Sequence, residues 1–154
     1  MQQSSFILKQ IGVVHSEIEG KTYTNWDKVI SEIHLEQAFQ EGLYKLDQYS
    51  HAIIVFFMDQ FDSHASHQMI KRPRDREDMP ETGVFAQRTK YRPNPIGISV
   101  VSIEGIQDNI LIVKGLDANN NSPVLDIKPY ITEFDTRKNV EVPKWMKTLM
   151  ENYY

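Results

Sequence analysis

A chain of 154 residues with 17 Lys and Arg against 21 Asp and Glu carries a formal net charge of −4, and 40% of it is hydrophobic. That suits one soluble domain large enough to bury a core. The absence of cysteine excludes a disulfide framework, a thiolate nucleophile and a cysteine-type zinc site.

In chain order, residues 6–15 begin apolar and continue through Ile11-Gly12-Val13-Val14, which predicts a first strand. The first five residues show no basic region leading into an apolar stretch, so the expectation is a cytoplasmic chain. In residues 31–35, Ile33 and Leu35 alternate with Glu32, His34 and Glu36, the period of a half-buried strand. Phe39, Leu43 and Leu46 then recur at helical spacing across Gly42. Residues 52–58 are apolar at every position, as in a strand covered on both faces, and the run is far too short to span a bilayer. Residues 96–106 and 110–113 read as two strands joined by a hairpin at Gln107-Asp108-Asn109. Residues 124–131 form a further strand. The tail opens at Pro143 and places Trp145, Leu149 and Tyr153 on one face, with Met146 and Met150 beside it, as an amphipathic helix. Many short strands with irregular loops predict a mainly β fold: a closed or nearly closed, mostly antiparallel β-barrel with a few short helices and a C-terminal amphipathic helix. No linker composition interrupts it, so residues 1–154 are expected to form a single domain with no separate C-terminal domain.

Charge is uneven along this pattern. Residues 71–92 hold seven basic residues against four acidic ones, a net of +3 in an otherwise acidic chain. A basic belt containing Arg72, Arg74 and Arg76 suits a large anion such as nucleic acid. The alternative is a solvated loop whose mixed charges pair among themselves.

Three clusters could carry chemistry. In Arg92-Pro93-Asn94-Pro95-Ile96-Gly97 two prolines stiffen the chain around Asn94, so that backbone groups can be held toward a ligand. Arg88 and Arg92 supply fixed positive charge beside it. Asp117 lies where an apolar strand runs out into an Asn-rich loop, a position where sites are common, although Asp and Asn also favour turns for their own reasons. Asp126, in an apolar setting, is expected to pair with Lys128 or an Arg. Asp59, Asp62, His64 and His67 fall within nine residues. Lacking the Glu of His-Glu-x-x-His and any Cys, they are not expected to hold a metal. His15 and His34 sit in strand patterns and are expected to be partnered. No Walker loop, Gly-x-Ser-x-Gly or Gly-x-Gly-x-x-Gly occurs.

Five segments stand together in a specific order: Ile11-Gly12-Val13-Val14-His15-Ser16, Tyr49-Ser50-His51, Gly83-Val84-Phe85-Ala86-Gln87-Arg88, Arg92-Pro93-Asn94-Pro95-Ile96-Gly97 and Asp126-Ile127-Lys128-Pro129-Tyr130. In this spacing the chain resembles the TsaA-like (YaeB-like) family of TrmO-type tRNA N6-adenosine methyltransferases, over residues 7–134. The resemblance implies a β-barrel methyltransferase that uses S-adenosylmethionine. It also implies a homodimer with the cofactor near the subunit interface. The implied reaction is N6-methylation of threonylcarbamoyladenosine next to the tRNA anticodon, with the anticodon stem-loop as partner and neither membrane nor metal. Cofactor contacts carry over to Asp59, Gln60, Arg88, Ile98, Leu116, Asp117, Ala118 and Asn119, and Tyr23-Thr24-Asn25 falls at a further cofactor loop. Arg72, Arg74, Arg76, Arg92 and Asn94 are the candidate substrate contacts. The acceptor nitrogen is a weak nucleophile, so a general base is expected, either Asp117 or Asp59. The chain departs from the family pattern at Gln87, Thr89-Lys90 and Asn120-Asn121. Three other readings stay open: a non-catalytic RNA-binding barrel using the belt and exposed aromatics, a methyltransferase acting on another small substrate, and a metal-dependent hydrolase built on Asp59, His64 and His67.

Overall fold

A computed structural model describes residues 4–19, 24–60 and 68–154. Eight strands are present among them: β1 (Gly12–His15), β2 (Ile30–Leu35), β3 (His51–Phe57), β4 (Ile70–Lys71), β5 (Thr82–Gly83), β6 (Ile96–Gln107), β7 (Ile110–Lys114) and β8 (Pro123–Pro129). Six of them close into a barrel in the order β1-β2-β7-β6-β3-β8, every neighbouring pair antiparallel. Closure removes the exposed edges that an open sheet of short strands would present. β4 and β5 pair separately as a small side sheet.

Alternating residues supply the core, including Val14, Ile33, Ile54, Val101, Leu111 and Val124, all at most 1% exposed. Two glycines of the sequence motifs are required by close packing. A Cβ on Gly12 would lie 2.6 Å from the His34 carbonyl oxygen across the β1–β2 pair. A Cβ on Gly97 would lie 2.5 Å from the Phe56 ring, which covers it from β3.

The hairpin forms as expected, with Asp108 at φ 53° in the turn between β6 and β7. His15 and His34 are partnered: their ring centroids are 4.0 Å apart, and His34 Nε2 lies 2.7 Å from Glu32 Oε2. Asp126 pairs with Lys128 at 2.7 Å on the barrel exterior.

Four expectations change. The first strand starts at Gly12 rather than at residue 6. β8 accompanies β1 only through Val124 and Pro123, so Phe6, Ile7 and Leu8 remain 86%, 101% and 60% exposed. The helical spacing of Phe39, Leu43 and Leu46 is realised as two 3-10 turns, Gln37–Leu43 and Leu46–Gln48, broken by Lys45 at φ 66°. The strand over 52–58 is fully buried on one face only, since Ile53, Val55 and Phe57 on the other face are half-buried. The predicted tail helix is confined to α2 (Lys144–Leu149), preceded by a single turn, α1 (Thr132–Asp135). Leu149 is buried and Trp145 and Met146 are half-buried, while Tyr153 lies past the helix and turns back onto the barrel.

Candidate functional site

β7 ends at Lys114, and Gly115 at φ 92° turns the chain across the barrel mouth, its N–H bonded to the Val29 carbonyl at 3.0 Å. Leu116 and Ala118 point into the core, and the residue between them, Asp117, is left at the rim. The loop is fixed on its far side as well. Ser16 N–H donates to Asn120 Oδ1 at 3.1 Å, and Asn121 N–H to the Val14 carbonyl at 2.8 Å. Gln60, just past β3, donates to the Asn120 carbonyl at 2.5 Å and accepts from Asn119 Nδ2 at 3.3 Å. Thus Gln60 is joined through Asn119 and Asn120 to the loop that carries Asp117, while Leu116 and Ala118 of that loop are buried beneath it. Asp59 sits beside Gln60 and is exposed.

Asp117 is the charged centre. Ser99 of β6, itself buried, donates its hydroxyl to Asp117 Oδ1, and Tyr153 O–H donates to Oδ2 at 2.7 Å. Burial drives the Asp117 carboxyl above the usual carboxylate range; the two hydroxyl hydrogen bonds and the positive charge of Arg88 oppose that rise. The phenols beside it respond to the same field. Burial and the Asp117 charge push Tyr154 up to about 12 and raise Tyr153 further. Arg88, exposed, supplies the positive charge at this end. The buried Trp26 contributes its backbone N–H to the Tyr153 carbonyl at 2.9 Å, and its indole N–H has no acceptor among the described residues.

Other candidates lie elsewhere. Ile98 faces the opposite side of the sheet from Ser99, 47% exposed against 3%, so the described chain does not bring it to Asp117. Much of the basic belt is engaged within itself. Arg76 forms a two-pronged pair with Asp78 at 2.9 and 2.5 Å. Arg72 donates to the Met79 carbonyl at 2.5 Å, and Arg92 donates to the Gln87 and Thr89 carbonyls at 3.0 and 3.1 Å. Arg74 is turned toward the site, its guanidinium 5.3 Å from the Tyr153 ring centre. Asn94 is exposed at the Pro-Asn-Pro corner. Tyr23, Asp62, His64 and His67 lie outside the described residues, and among the described residues no three His, Asp or Glu converge as a metal site would require. Sequence reading missed Ser99 as a site residue and placed Tyr153 on a helix face. Neither carried a local signal, since Ser99 and Tyr153 reach Asp117 across 18 and 36 positions.

The family model described as the tRNA-methyltransferase O N-terminal domain matches residues 21–136. An S-adenosyl-L-methionine-binding protein of Archaeoglobus fulgidus is 37% identical over 88% of this chain and 96% of its own length. The human tRNA (adenine(37)-N6)-methyltransferase is 36% identical over 68% of this chain and 23% of its own length. The crystal structure of TrmO from P. aeruginosa superposes with a TM-score of 0.75 at 27% identity, covering 93% of this chain and 62% of that one. The chain therefore spans well under two thirds of several relatives, including 37% of a second, longer A. fulgidus protein.

Proposed function

The chain belongs to the tRNA-methyltransferase O N-terminal domain family, and from that premise we propose that it is an S-adenosylmethionine-dependent methyltransferase that methylates N6 of threonylcarbamoyladenosine beside the tRNA anticodon. The observation that carries the reading is the half-buried Asp117 carboxylate, held by two hydroxyls just past β7 on the loop whose Asn119 amide bonds Gln60.

The residues fit the cofactor. An adenosyl sulfonium is a cation with a flat heteroaromatic head; a buried carboxylate offsets its charge, and side-chain amides match the donors and acceptors of adenine and ribose. Asp117, Gln60 and Asn119 would hold it, with Leu116 and Ala118 behind them. When bound, S-adenosylmethionine supplies an electrophilic methyl group. Asp117 accepts the proton that the acceptor nitrogen loses, because a carboxyl raised by burial is a stronger base than an exposed one. Asp59, solvated beyond β3, has no such burial. Arg74 and Arg88 lie on the Asp117 side of the belt and are placed to meet RNA phosphate.

The test is direct. Calorimetry with S-adenosylmethionine and with S-adenosylhomocysteine should show saturable heat, and labelled methyl should enter tRNA that bears threonylcarbamoyladenosine. Label entering small molecules but not tRNA would overturn the substrate while leaving the cofactor; no heat with either compound at millimolar concentration would overturn both.

A further inference from the structure

Asp117 is gripped from two directions that belong to distant parts of the chain. Ser99, on the barrel wall, takes Oδ1, and Tyr153, from the segment after α2, takes Oδ2 at 2.7 Å. A hydroxyl on each oxygen restrains rotation of the carboxylate about its Cβ–Cγ bond and so favours one direction for its remaining lone pairs. The segment that brings Tyr153 is itself tied down. Asn25 N–H donates to the Asn152 carbonyl and Trp26 N–H to the Tyr153 carbonyl, both at 2.9 Å, and Tyr153 N–H donates to the Met150 carbonyl at 3.1 Å. The Tyr154 ring lies edge-on to the Tyr153 ring at 5.0 Å, and Arg74 covers it at 5.3 Å. A tail that only packed on the barrel would not need its phenol oxygen aimed at this half-buried carboxylate.

We propose that Tyr153 is a positioning residue whose hydroxyl fixes the plane of the Asp117 carboxylate, so that the segment after α2 forms one wall of the cofactor site. This rests on the reading of Asp117 as the functional carboxylate. The groups that face Asp117 are Ser99 from β6, Tyr153 and Tyr154 from the tail, and Arg88 from the loop before β6; Arg74 faces Tyr153. A hydroxyl donating to the ionised carboxylate favours that form, so its removal moves the Asp117 titration upward.

The experiment compares wild-type protein with Tyr153→Phe, which keeps the ring against Arg74 and leaves the backbone hydrogen bonds in place. The Asp117 carboxyl carbon is titrated by NMR in the cofactor-free protein, S-adenosylhomocysteine affinity is measured by calorimetry, and methyl transfer to tRNA is followed against pH. Tyr153→Phe should raise the Asp117 midpoint by about 0.5–1 pH unit, move the acid limb of kcat/KM by the same amount, and lower kcat about tenfold with a smaller change in cofactor affinity. If Tyr153→Phe fails to fold, 3-fluorotyrosine at 153, a stronger donor, should move the midpoint downward. Normal wild-type binding with an unmoved midpoint and pH profile in the variant overturns the role of Tyr153 alone. A wild-type protein that binds neither cofactor form overturns the cofactor site and this role with it.

Discussion

A carboxyl whose pKa lies above its unfolded value costs the folded state stability once it ionises, and Asp117 is such a group. Its contribution is fully present below the unfolded value, near 3.8, and is lost as pH rises through the raised folded value. Asp117→Asn should therefore melt close to wild type at pH 4 and above it at pH 8. A gain on the order of 1 kcal/mol would appear as about 2–4 °C in thermal scans. The same variant should lose methyl transfer, the signature of a site that holds charge at a cost to stability. A melting difference that does not grow with pH would show that the ionised carboxyl is not penalised by its surroundings. Asp117 was legible in the sequence because an apolar strand ends there. Its partners were not: Ser99 and Tyr153 are bound to it by contacts 18 and 36 positions apart, and no local pattern encodes such distances.

At the scale of elements, the stiff block earns its shape from packing as much as from ligand contact. Pro95 offers its carbonyl to Met58 N–H at 2.8 Å, which starts the β3–β6 ladder, and Gly97 then lies under the Phe56 ring. Gly97→Ala should destabilise the barrel by about 1–3 kcal/mol, the usual cost of overpacking. Combining it with Phe56→Leu should recover part of that loss in urea denaturation, whereas simple additivity of the two variants would show that the ring contact is not the cause. Gln87, a departure from the family pattern, is buried and donates to the Lys71 carbonyl at 2.8 Å and to Thr82 Oγ1 at 2.7 Å, tying the loop to the β4–β5 side sheet. Gln87→Ala leaves those acceptors unpaired, so amide exchange across β4 and β5 should quicken while the barrel amides keep their protection. Uniform loss of protection would mean that the side sheet and the barrel unfold together. Period-2 alternation made β2 readable and two apolar runs joined at Gln107-Asp108-Asn109 made the β6–β7 hairpin readable, whereas residues 6–11 misled because their apolar character is not matched by a neighbouring strand. The spacing of Phe39, Leu43 and Leu46 specified which side chains to bury but not the tighter 3-10 winding that buries Leu43 and Leu46.

The whole molecule shows two surfaces that bear on partners. The belt, net +3 by sequence, spends Arg76 on Asp78 and Arg72 and Arg92 on backbone carbonyls, so fewer phosphates can be neutralised than the residue count suggests. The logarithm of the tRNA association constant should fall with the logarithm of salt concentration less steeply than the slope of about −6 that seven neutralised phosphates would give, and a slope near −6 would show that the internal pairs open on binding. The second surface is on the outside of the barrel. The register places Ile96 opposite Phe57, Ile98 opposite Val55 and Val100 opposite Ile53, an apolar stripe along β3 and β6 rimmed by the Asp126–Lys128 pair. Ile98 and Val100 are each 47% exposed. A homodimer with its two-fold axis through this stripe would cover it with the same stripe of the second copy. The tail helix packs its Leu149 into its own barrel, which leaves this stripe as the apolar face on which a dimer is to be tested. Such a dimer would put Ile98, turned away from Asp117 within one chain, at the boundary between copies. Light scattering should give the mass of a dimer at micromolar concentration. Val100→Asp should give a monomer, with a melting temperature little changed because the side chain is already half in water, and with weaker binding of S-adenosylhomocysteine. A wild-type monomer would remove the stripe as an interface, and a monomeric Val100→Asp that binds as tightly as wild type would place the whole cofactor site within a single barrel.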